Sequence, residues 1–225
     1  MSIAQLTLDL PHRTALGAED FLVSDCNLAA VRLIDAWPAW PDQVQLLIGP
    51  PASGKTHLAR VWQALSGAQS LDPTNLAMGF IDRLDEGTPL VVEDADRGAY
   101  DEKALFHLLN LAREKRLFVL LTARGAPSRW GLTLPDLLSR LNAVPAVEIG
   151  APDEALLRTV MLKHFTVRLL DIDPKVLEFL ALHIDRSLAA AAAAVAAVDR
   201  AALAKGRKIS RQLVIEALAA GASTD

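Results

Sequence analysis

Apolar residues along this chain follow two rhythms, and the places where one gives way to the other mark out the elements. Val44-Gln45-Leu46-Leu47-Ile48 is a short, nearly continuous apolar run of the kind that forms a buried strand. After a glycine-rich break, residues 57–65 space Leu58, Val61, Trp62 and Leu65 as a helix does. Residues 101–116 form a second amphipathic helix, with Ala104, Leu105, Leu108, Leu109 and Ala112 on one side. Strand-like runs recur at 89–96, 117–122 and 144–149, and a turn and helix fill 130–141. Upstream, Ser24 or Asp25 can cap a helix carrying Leu28, Val31, Leu33 and Ala36, which Trp37-Pro38-Ala39-Trp40-Pro41 then breaks. The two tryptophans read as packing residues. Residues 67–87 are weakly patterned, with a short helix expected at 75–83. The alternation of strands and helices predicts an α/β fold, a parallel sheet covered by helices on both faces.

Gly150-Ala151-Pro152 marks a boundary, beyond which the rhythm is helical throughout. Asp153 caps a helix to about residue 168. Asp173 with Pro174 opens one to about residue 184, Ser187 one to about residue 204, and Ser210 a last one that Gly221 can end. The predicted organisation is an N-terminal arm (1–20), an α/β domain (21–150) and a small all-α domain (151–225). In the arm, Gln5-Leu6-Thr7-Leu8-Asp9-Leu10 alternates polar and apolar residues before Pro11. It suits an edge strand, or an arm that becomes extended in a partner's groove.

Composition narrows the classes. With 52% hydrophobic residues among 225, the chain has material for a sizeable core. The alanine-rich run at 188–198 is too short to span a membrane, and no basic-then-apolar leader opens the sequence. A lone Cys26 permits no internal disulfide and fits a reducing cytoplasm. Net charge is −4, from 23 basic and 27 acidic residues, which argues against a protein that coats DNA. The basic cluster of Lys205, Arg207, Lys208 and Arg211 has no aromatic residue beside it in sequence and reads as a solvated turn between helices. No histidine or cysteine spacing suggests zinc.

The chemistry starts between the first strand and its helix. Gly49-Pro50-Pro51-Ala52-Ser53-Gly54-Lys55-Thr56 completes the P-loop pattern, with His57 just beyond it. Its glycines let successive N–H groups curl around phosphate oxygens, and the helix N-terminus adds partial positive charge. Lys55 is expected to reach the β/γ-phosphates, and the Thr56 hydroxyl to bind Mg²⁺. The strand at 89–92 runs into Glu93-Asp94, a Walker B arrangement in which one carboxylate helps hold Mg²⁺ and the other polarises the attacking water. Thr122, ending the next strand, is placed to contact the γ-phosphate or that water.

A P-loop α/β domain followed by a helical lid resembles the AAA+ ATPases. In detail it resembles their DnaA branch, and most closely the Hda-type regulatory inactivators of the replication initiator DnaA. Phe21-Leu22-Val23 with Asn27 is similar to the segment that encloses adenine in that family. Leu134-Pro135-Asp136-Leu137-Leu138-Ser139-Arg140-Leu141 resembles its box VII, which implies that Arg140 is an arginine finger entering a neighbour's site. Arg186 matches the sensor II arginine that reaches nucleotide from the lid. Gln5, Leu6, Leu8 and Leu10 match the hexapeptide by which bacterial replication proteins bind the sliding clamp, the DNA polymerase beta subunit. After the last lid helix only residues 222–225 follow, where DnaA-type initiators carry a helix-turn-helix domain.

The resemblance implies a cytoplasmic negative regulator of replication initiation. With ADP or ATP and Mg²⁺ in its own P-loop, it would dock on the DNA-loaded clamp, touching DNA only through it, and offer Arg140 to ATP held by DnaA. Two departures from the pattern imply weak intrinsic ATPase activity. Glu93 stands where DnaA-like proteins have Asp first, and Ala123-Arg124 follows Thr122 where DnaA has Asp. The competing readings are an autonomous motor or loader ATPase and a nucleotide-gated clamp adaptor. Self-association through the P-loop and Arg140 faces is a further expectation.

Overall fold

The computed structural model describes residues 21–97 and 100–221. Two compact units make up the chain, with the change-over at Gly150–Ala151 and the short loop Pro51–Ser53 grouped with the second unit.

The first unit is built on five parallel strands: β1 (Val44–Ile48), β2 (Gln69–Leu71), β3 (Pro89–Val92), β4 (Phe118–Ala123) and β5 (Ala146–Glu148). Their order in the sheet is β2-β3-β4-β1-β5. The three inner strands are apolar on both faces, Gln45 and Thr122 apart, because helices cover both. Leu46, Leu90, Val92, Val119 and Leu121 pack with α4 (Glu102–Glu114), α5 (Pro135–Asn142) and α3 (Met78–Ile81). Leu47, Val91 and Leu120 share a second cluster with α1 (Leu28–Asp35) and α2 (Lys55–Ser66). Trp40 belongs to that cluster. Its indole stacks on Trp62 at 4.9 Å and donates to the Leu33 carbonyl at 2.7 Å, so it packs as the sequence suggested.

Three local features depart from the sequence reading. Residues 69–71 form edge strand β2, hidden in the sequence because Gln69 and Ser70 are exposed and give no apolar alternation. The helix expected at 75–83 is a 3₁₀ turn at Pro73–Asn75 followed by the single turn of α3. Neither Ser24 nor Asp25 caps α1. Its cap position is Asn27, whose side chain makes no cap bond.

Among the described residues after Gly150 there are four helices: α6 (Glu154–Val167), α7 (Pro174–Leu182), α8 (Leu188–Lys205) and α9 (Arg211–Gly221). Side chains of Asp153, Asp173 and Ser187 accept backbone N–H groups at the starts of α6, α7 and α8, which supplies partners that helix ends lack. Gly206 ends α8 in a left-handed conformation, φ 57°. α8 buries Ala191, Ala194 and Ala202 with Val195 and Val198 and packs against α6 and α9. The basic turn is not free of aromatic company: the Arg211 guanidinium lies 4.4 Å from the Phe179 ring centroid. The sequence missed this because Phe179 belongs to α7. Among the described residues, no helix is long and apolar enough to cross a membrane.

Candidate nucleotide site

β1 delivers the chain to the P-loop at the C-terminal edge of the sheet, where open α/β sheets place their ligands. The loop is tied down at once by the Gly49 N–H, which donates to Ala123 O of β4 at 3.1 Å. Pro50, Pro51 and Ala52 are exposed, and Ser53 is buried. Ala52 (φ 57°) and Gly54 (φ 98°) both take positive φ, the left-handed conformation from which anion-binding nests are built. Gly54 precedes α2 and no side chain caps that helix, leaving its first N–H groups for a ligand. A Cβ on Gly54 would lie 2.7 Å from Phe21 Cε2, so a larger residue there must displace the ring as well as strain the backbone.

Lys55 is 6% exposed, and its Nζ donates to the carbonyls of Gly49 (2.7 Å) and Pro50 (2.9 Å), which holds the ammonium over the loop. Burial is the main influence on its pKa and pulls it below 10.5. Asp94 pushes it back up, Arg124 lowers it, and Asp96 raises it. Glu93 is absent from that set of charges. It lines, with Asp94, Arg97, Asp72 and Thr74, a groove of about 470 Å³ beside β2. The neighbouring Thr56 is exposed.

The acidic turn after β3 hangs from β4. Asp94, at φ 51°, donates its N–H to Thr122 Oγ1 at 3.0 Å, and Ala95 N–H donates to Thr122 O at 2.7 Å. The Arg124 N–H donates to Asp96 Oδ2 at 2.7 Å. Thr122 is 1% exposed and accepts the Asp94 N–H with its hydroxyl oxygen, which leaves the hydroxyl hydrogen to give elsewhere. Asp94 also pairs with Arg97 at 3.4 Å. Sequence reasoning passed over Asp96 and Arg124 as parts of this charge set. The signal available was the Asp94-Ala95-Asp96 spacing immediately after the strand.

On the other side of the loop, the Phe21 ring stacks on His57 with centroids 5.1 Å apart. Val23 is buried in the α1–α2 cluster. Asn27, 3% exposed, has both ends of its amide engaged with backbone: Oδ1 accepts from Ser24 N–H and Nδ2 donates to Leu22 O, each at 2.9 Å. It braces the segment that carries Phe21 and Val23. Arg140 lies on α5 and is half-buried, its guanidinium 6.0 Å from the Phe106 ring centroid. It lines a recess of about 300 Å³ with Phe106, Arg113, Asp136 and Ser139. Arg186 belongs to the second unit, exposed in the segment leading into α8. The hexapeptide Gln5, Leu6, Leu8 and Leu10 lies outside the described residues.

This arrangement fits a nucleotide polyphosphate: a loop with two left-handed residues, an uncapped helix start, a buried ammonium and carboxylates acting on it. Similar folds occur in domain III from the Thermotoga maritima replication initiation protein DnaA (TM-score 0.70, 16% identity, 89% of this chain and 94% of that one). A DNA replication initiation factor gives a TM-score of 0.66 at 16% identity, over 81% of this chain and 63% of that one. The Thermotoga maritima RuvB Holliday junction branch migration motor gives 0.61 at 19% identity, over 78% and 61%. The fold is that of an AAA+ P-loop NTPase. No family model matches the sequence. No curated protein matches it either. At these identities the likeness concerns architecture, and the AAA+ fold holds alike for the DnaA domain and the RuvB motor.

Proposed function

We propose that this protein is a negative regulator of replication initiation, acting as Hda-type proteins do. With ADP or ATP bound at residues 49–56, it docks through residues 5–10 on the DNA-loaded sliding clamp. It then presents Arg140 to ATP held by DnaA. A guanidinium brought to the γ-phosphate neutralises charge spread over its equatorial oxygens, and such fingers contribute about 10³–10⁵ in rate. The observation that carries the reading is Arg140 itself. It stands in a DnaA-like box on a DnaA-like fold, at the surface, with a ring contact and no ion pair among the described residues. Its charge is available to a partner.

In its own site, the nest and Lys55 would hold the phosphates, Phe21 and Val23 would border the base, and Arg186 would reach the nucleotide from the second unit. Bound Mg²⁺ would neutralise phosphate charge, with Thr56 and an acidic residue as its protein ligands. Asp94, which acts on Lys55 and shares a groove with Glu93, is the proposed one. The decisive measurement is turnover of DnaA-bound ATP with clamp and DNA present. Adding the protein should accelerate it, Arg140→Ala should not, and deletion of residues 1–10 should fail through loss of the clamp. Unchanged turnover with the intact protein sinks the reading.

One observation favours a competitor. The formed nest and the Asp94–Thr122 bond are also what an autonomous motor or loader ATPase needs. Robust hydrolysis by the protein alone, stimulated by DNA and lost in Lys55→Ala, would select that alternative.

A further inference from the structure

The segment leading into α5 cannot cap its own helix. Leu134 stands at the cap position with an aliphatic side chain, and Pro135 follows at the first helical position without an N–H. Another element instead grips the two residues just before the helix. The Glu102 carboxylate, in the first turn of α4, accepts the Thr133 N–H (Oε1 2.9 Å, Oε2 3.1 Å), the Thr133 hydroxyl (Oε1 3.1 Å) and the Leu134 N–H (Oε2 2.7 Å). Both oxygens are used, and the donors lie more than thirty residues away in sequence. The Thr133 N–H bond is the chief cause holding the carboxyl below its ordinary value of 4.5, as expected for a carboxylate gripped by backbone donors.

Glu102 does not act alone. One helical turn further along α4 is Phe106, the ring beneath the Arg140 guanidinium, and beyond it Arg113 lines the same recess as Arg140. A single stripe of α4 therefore grips α5 at its start and meets its side chains near its end. Between these points Leu137 and Leu141 are buried in the shared core. The core fixes how close α5 lies, but apolar contacts are non-directional and leave rotation and axial slip weakly set. Directional bonds at the N-terminus supply that restraint.

We propose that Glu102 is a positioning residue for Arg140: by tethering Thr133 and Leu134, it sets the register of α5 and so the place where the guanidinium is presented. This rests on the reading of Arg140 as a finger. Glu102→Gln is the informative substitution. A glutamine has one acceptor oxygen for three donors, and its NH₂ turns a donor toward N–H groups that need acceptors. Misplacement of a catalytic group by about 1 Å can cost on the order of a hundredfold. A helix still held by its core should lose less, about tenfold.

The experiment uses the full chain with DNA-loaded clamp and ATP-bound DnaA, and compares wild type, Glu102→Gln and Arg140→Ala. It reads maximal stimulation and half-saturating concentration, with amide hydrogen exchange on the protein alone. Support is faster exchange at Thr133 and Leu134 together with about a tenfold lower maximum at unchanged half-saturation. Exchange protection elsewhere in α4 and the sheet reports that the variant is folded. Three results overturn the proposal: faster exchange with full stimulation, unchanged exchange, or a shift in half-saturation alone. If Arg140→Ala is inactive while Glu102→Gln is fully active, only this proposal fails. If Arg140→Ala stimulates fully, the finger reading fails and the proposal with it.

Discussion

Gly54→Ala tests the geometry of the P-loop directly. Two costs add at this position. The backbone sits at φ 98°, where an L side chain costs about 1–2 kcal/mol. The new methyl would also begin 2.7 Å from Phe21 Cε2, so the ring must move and give up its stacking on His57, worth about 0.5–1.5 kcal/mol. Together they predict destabilisation of about 1.5–3.5 kcal/mol. All four tryptophans precede Gly150, so urea denaturation followed by tryptophan fluorescence reports the first unit alone. At a typical urea dependence the midpoint should fall by about 1 M. Phe21→Ala separates the two costs. In that background Gly54→Ala should retain the backbone penalty and lose the steric one, giving a coupling of about 1 kcal/mol. If the two substitutions add to within about 0.5 kcal/mol, Phe21 is not what Gly54 makes room for, and the reasoning is wrong.

Four other outcomes are expected. Thr122→Val removes the acceptor of the Asp94 N–H and should cost about 1–3 kcal/mol in the same urea assay. Tyr100→Phe should stabilise by about 1 kcal/mol, because the hydroxyl is buried without a partner among the described residues and its pKa is pushed up to about 12, chiefly by burial. Burial lowers the Lys55 pKa, so between that lowered value and 10.5 the unfolded chain binds more protons than the folded one. Stability should therefore rise with pH across this window relative to Lys55→Met, while calorimetrically measured affinity for Mg-ADP should fall. Asp94→Asn should weaken Mg²⁺-dependent nucleotide binding more than Glu93→Gln does; the reverse order in titrations with and without Mg²⁺ would reassign the metal-side carboxylate.

The fold was readable wherever a segment buries one face along most of its length. α2 and α4 bury four or more residues at helical spacing, and β1, β3 and β4 are apolar on both faces, so periodicity located them. β2 was not readable, because its three residues are held by pairing to β3 and contribute little burial. In the site, the P-loop and acidic turn could be found because their residue types are dictated locally, by backbone conformation and by phosphate chemistry. What escaped was long-range. Glu102 reads as an ordinary acidic residue in a first helical turn, and only the folded chain brings Thr133 and Leu134 to it. Asn27 matches an adenine-enclosing pattern, and its amide also braces the backbone at Leu22 and Ser24, a use no spacing rule shows.

The three bonds that run from Thr122 and Arg124 to the turn after β3 have a mechanical consequence. They act as a rivet, so that Asp94 and Asp96 travel with the tip of β4. Since Gly49 is pinned to Ala123 of the same strand, the phosphate loop and its acids share one foundation. Surface substitutions that spare these bonds should therefore leave the charge geometry of the pocket intact.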